Sequence, residues 1–75
     1  MNIGDVMIHI NEPLSEEARS ALENTMQKVE GVVSPHFNPG KAHLLMIAYD
    51  TDKTSTAVLL ERTRAAGYSA QLVGM

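Results

Sequence analysis

The sequence predicts an α+β sandwich of order βαββαβ, four antiparallel strands in one sheet with two helices on one face. Three observations carry this. Apolar residues alternate with period two in four stretches. They recur at three- and four-residue spacing in two others. Turn and cap residues separate all six. Two successive βαβ halves sharing one sheet, each with a right-handed crossover, give the ferredoxin-like arrangement. With 75 residues and no room for a linker, residues 1–75 are expected to be one domain.

Asp5 to Ile10 reads as the first strand, with Val6, Ile8 and Ile10 facing one way and Met7 and His9 the other. Pro13 stops it. Ser15 can cap a helix, and Glu16 and Glu17 then lie in its first turn, where the helix dipole favours acids. Ala18, Ala21, Leu22, Thr25, Met26 and Val29 form the core stripe of a helix over about 16–29, and Gly31 is placed to end it.

Val32 to Phe37 is the second strand, and the internal Pro35 assigns it to an edge or a bulge. Asn38-Pro39-Gly40 is a hairpin turn. The third strand, Ala42 to Tyr49, is apolar on both faces, with Leu45, Ile47 and Tyr49 on one and Leu44, Met46 and Ala48 on the other. It is therefore expected at the centre of the sheet, between the first two strands. Asp50 to Lys53 is a turn. Thr54 or Ser55 caps a second helix to about Ala66, with Val58, Leu59, Leu60 and Ala66 toward the core, and Gly67 ends it. Tyr68 to Val73 closes the sheet, with Tyr68, Ala70 and Leu72 inward and Ser69, Gln71 and Val73 outward.

Bulk properties narrow the function classes. A net charge of −3 and only three aromatic residues, Phe37, Tyr49 and Tyr68, argue against nucleic acid as a partner. No cysteine is present, so thiolate nucleophiles, thiolate metal sites and disulfides are excluded. The absence of disulfides in so small a chain points to a reducing compartment. The first residues lack the basic-then-apolar pattern of a signal peptide, and the longest apolar run, Leu44 to Tyr49, is too short for membrane insertion. A cytoplasmic location is the expectation. No enzyme is expected: the five serines stand without a His-Asp signature, and every glycine is isolated, so no phosphate loop forms.

Val29-Glu30-Gly31-Val32, Tyr49-Asp50 followed by Ser55 and Leu59, and Ala66-Gly67-Tyr68-Ser69-Ala70 stand in an order and spacing that resembles the heavy-metal-associated domain, the family of copper chaperones and metal-pump N-terminal domains. The resemblance implies the same fold and a role in heavy-metal handling or transport. The family's GMTCxxC motif would place its cysteines on Ser15 and Ala18 and its methionine on Pro13. None of these is a ligand for a soft cation, so the family's metal site does not transfer. Tyr68 matches a position that packs near that site, and it reads equally well as a core tyrosine. The second-to-third strand region is a few residues longer than the family's.

Two candidate sites remain, both on the sheet face that no helix covers. Met7, His9, Leu44, Met46 and Val73, with Ala48 and Met75, would form an apolar surface for a protein partner or a homodimer. Met7 and Met46 with His9 and His36 would form a Met/His set for copper or zinc, although no pair has a metal-ligand spacing such as HxH. The adaptor reading without a cofactor is placed first. A metal protein using Met and His in place of CxxC is the alternative. A ligand-binding regulatory domain ranks last, since the turn after the first strand lacks the glycine such sites use. Acids at Glu12, Glu16, Glu17, Asp50 and Asp52 read as dipole partners and solvated turn residues.

Overall fold

The computed structural model describes residues 2–73, so Met75 lies outside it. The elements are β1 (Ile3–Ile10), α1 (Glu16–Gln27), β2 (Val32–Asn38), β3 (Lys41–Asp50), α2 (Thr56–Ala65) and β4 (Ala70–Leu72). The sheet order is β2-β3-β1-β4 with every neighbouring pair antiparallel. This is the ferredoxin-like βαββαβ sandwich that the alternation predicts. β3 is interior and the proline-bearing β2 is an edge, as Pro35 requires.

Both helices start on a serine cap. Ser15 Oγ accepts the Ala18 N–H at 3.1 Å and Ser55 Oγ accepts the Val58 N–H at 3.3 Å. The core is one layer between sheet and helices, built from Val6, Ile8, Ile10, Leu45, Ile47 and Tyr49 below and Leu22, Met26 and Leu59 above. The inward and outward sides match the alternation along β1 and along β3 from Leu44 to Tyr49.

Four assignments change. Ala21 and Thr25 are exposed, because the stripe centres on Leu22 and Met26 and one residue back on a helix is about 100° off that line. The Thr25 hydroxyl instead donates to the Ala21 carbonyl at 3.0 Å. Ala66 is exposed one residue past α2, and the buried position on that face is Thr63. Its hydroxyl donates to the Leu59 carbonyl at 2.9 Å and meets Met26 Sδ at 3.9 Å, so a polar side chain is satisfied where the helices touch. Leu72, on an edge strand with no strand beyond it, is 42% exposed. β4 is also shorter than expected, though Tyr68 ahead of it packs against the core.

The loop after α1 and the loop before α2 lock together. Gly31 has φ +92°, and its carbonyl accepts the Asp50 N–H at 2.7 Å. The buried Asp50 carboxylate accepts the Asp52 N–H at 2.9 Å, which turns the chain toward α2.

Candidate functional site

The uncovered face of the sheet is ordered in cross-strand rows. Met7 on β1 stands opposite Met46 on β3, and Met46 stands opposite His36 on β2. On the far side of β1, the Val73 N–H donates to the Met7 carbonyl at 2.9 Å. One row toward the end of β1, His9 is opposite Leu44 and Gln71. One row the other way, Asp5 is opposite Ala48, which faces Ser34.

The apolar members are half-buried: Met7, Leu44, Met46, Ala48 and Val73 each lie between the core residues and the exposed class. Cross-strand neighbours about 4.5–5.5 Å apart shield one another, so a flat apolar face covers part of itself. The more exposed large apolar side chains lie around this cluster rather than within it. Ile3 continues the same face at the start of β1, Val33 sits in a register shift of β2, and Leu72 is at the β4 edge. The sequence reading named none of the first two. A bulge residue has no alternation to betray it.

The Met/His set divides. Met7, Met46 and the exposed His36 share a row, and Met46 Sδ accepts from Asn38 Nδ2 at 3.9 Å. His9 does not join them. Its ring lies beside His43, with centroids 6.0 Å apart and planes 20° apart. His9 Nδ1 is 3.1 Å from Asn11 Oδ1, and His43 Nδ1 is 3.1 Å from the Ile10 carbonyl. His43 was not singled out from the sequence, because it shares the parity of Leu45 and Ile47 and looks like a core-facing position. Ala42, His43 and Leu44 have no residue opposite on β2, since the register jumps from Phe37–Leu45 to Asn38–Lys41. Among the described residues no group of three His, Asp or Glu converges, and no pocket forms.

The β1–α1 turn is closed on itself. Leu14 packs against the core, Arg19 donates to the Leu14 carbonyl at 2.7 Å, and both Glu12 carboxylate oxygens lie 3.0 Å from the Ser69 N–H. Ser15 serves as helix cap. Tyr68 is half-buried on the core cluster. No helix is long and apolar enough to cross a membrane among the described residues.

No family model and no curated protein matches the chain. Solved structures do. Oxidized MerP from Ralstonia metallidurans CH34 superposes with TM-score 0.82 at 21% identity, covering 95% of this chain and 97% of that one. A copper binding domain from HMA7, a P-type ATPase, gives TM-score 0.83 at 13% identity over 93% of each chain. The N-terminal domain of a potential copper-translocating P-type ATPase from Bacillus subtilis gives 0.82 at 20% identity, covering 95% of this chain and 88% of that one. At these identities the likeness establishes the fold.

Proposed function

We propose that this chain is a non-catalytic module of a heavy-metal-handling or transport system, acting by protein contact through its uncovered sheet face rather than through a cysteine metal site. It is a heavy-metal-associated type of domain whose ligand positions hold Ser15 and Ala18. The single observation that carries this reading is the Met46 row. Met7 and Met46 stand opposed at the middle of a four-stranded face that neither helix covers, flanked by Leu44, Ala48 and Val73. Methionine side chains adapt to a facing surface. Full burial of such a side chain gives about 1.5–3 kcal/mol, and each half-buried member has part of that left to gain. The fold neighbours that carry copper-binding or copper-translocating descriptions support the metal-handling context. A cytoplasmic location fits a chain without cysteine.

A second copy of the chain is the simplest occupant, since a row of like residues on a twofold axis faces itself. Sedimentation of the wild-type chain and of Met46→Glu tests it. The wild type should be a dimer. Met46→Glu should sediment as a monomer with its far-UV dichroism unchanged. A variant that stays as associated as the wild type would rule this face out.

The row His36–Met46–Met7 also supports the alternative in which copper binds a Met/His set. Replacing Met46 by leucine separates the two readings, because leucine keeps the apolar contact and removes the thioether.

A further inference from the structure

We propose that His9 and His43 form a two-imidazole site for a copper or zinc ion, distinct from the Met46 row. The pair goes beyond the protein-contact reading and does not depend on it. Three features of the geometry point to a ligand site.

The first is the state of the rings. The Ile10 backbone carbonyl can only accept, so His43 Nδ1, 3.1 Å away, is the donor. His9 Nδ1 has the same relation to the amide oxygen of Asn11. With Nδ1 donating, Nε2 is the nitrogen left to bind a metal ion. A metal-binding histidine is commonly held in this way, by a carbonyl or carboxylate on its other nitrogen.

The second is proximity. The ring centroids are 6.0 Å apart with planes 20° apart. Two imidazole nitrogens bound to one ion lie about 2.0–2.1 Å from it, so they need to approach to about 4 Å. Ring nitrogens lie about 1.1 Å from the ring centre, so rings at this separation bring two nitrogens to about that distance once they are turned toward each other.

The third is access. His43 is exposed and His9 half-buried, at the end of the sheet where β1 leaves for its loop and β3 begins. Imidazole suits zinc and copper, and two protein ligands leave positions for water or for a donor from another molecule.

An anaerobic titration with Zn(II) and then Cu(I) against a competing chelator tests the proposal, with stoichiometry read by native mass spectrometry. Imidazole nitrogen shifts are followed by NMR on the same wild-type samples. One ion should bind per chain, and the Nε2 signals of His9 and His43 should move together while those of His36 stay. His43→Ala and His9→Ala should each weaken binding at least tenfold, and Asn11→Ala should weaken it by about tenfold through loss of ring positioning. His36→Ala should match the wild type. Absence of binding, movement of His36 or of the Met7 and Met46 methyl signals in place of the pair, or full affinity in His43→Ala would each overturn the assignment. Because the imidazole shifts are read on the unaltered chain, a poorly folded variant leaves the proposal open to refutation. Loss of dimerisation in Met46→Glu would leave this result untouched, so the two readings fail separately.

Discussion

Met7 and Met46 sit directly opposite each other on β1 and β3, in the two inner strands of the sheet. Their neighbours along those strands, Ile8, Leu45 and Ile47, point into the core. The pair therefore marks the centre of the one broad surface that this fold leaves without a covering layer. A protein contact made there reads these two residues first.

Met46→Leu should keep association and stability within about 1.5 kcal/mol of wild type, because the swap conserves volume and apolarity. Urea denaturation and sedimentation check this. Loss of association in the leucine variant would mean that sulfur itself is used.

Gly31 and Gly67 both have positive φ, +92° and +104°. They differ in space. A Cβ on Gly31 would come within 2.9 Å of Lys53 Cβ, whereas nothing lies within 4 Å of one on Gly67. Gly67→Ala should therefore cost about 1–2 kcal/mol from backbone conformation alone. Gly31→Ala should cost about 3 kcal/mol or more, because the locked loops must also separate. Equal midpoint shifts in denaturant would contradict the difference.

Glu23 on α1 reaches the edge strand, where Oε2 accepts the Phe37 N–H at 2.8 Å. A charge-assisted bond of this kind closes a donor that an edge strand would otherwise offer to another chain. Glu23→Ala should cost about 1–3 kcal/mol and speed hydrogen exchange at Phe37. Unchanged exchange there would show that the bond does not persist in solution.

Ser15 caps α1 and Ala18 lies three residues on in its first turn, the two positions to which the family resemblance assigns cysteines. Replacing both, as Ser15→Cys with Ala18→Cys, should create a thiolate pair at a helix N-terminus, where thiol acidity rises. Stoichiometric Cu(I) binding should appear in that double variant, measured against a chelator. No gain of binding would show that the turn, tied down by Glu12 and Leu14, cannot adopt a ligating shape.

The fold was legible because its signals are local. Alternation assigns every inward residue of β1, and the apolar second side of β3 identifies an inner strand. Pro35 marks an edge, and the two serine caps mark both helix starts. What escaped depends on contacts between elements. Thr63 is buried because its hydroxyl is satisfied inside its own helix, which no periodicity shows. Leu72 alternates correctly and is exposed because the sheet ends there. His43 meets His9 because the β1–β3 register sets His9 opposite Leu44, the residue next to His43, at the strand end. The rows of the open face were foreseeable, and the pairing of His9 with His43 rather than His36 was not.

The most direct measurement is the methyl NMR spectrum of the methionines as chain concentration rises, with mass followed by sedimentation. The expected result is that the Met7 and Met46 methyl signals shift together as the dimer forms, while Met26, fully buried between the helices and sheet, holds still. Met7 and Met46 signals that stay fixed up to millimolar chain, whether it remains a monomer or dimerises through another surface, would contradict the role given to this face.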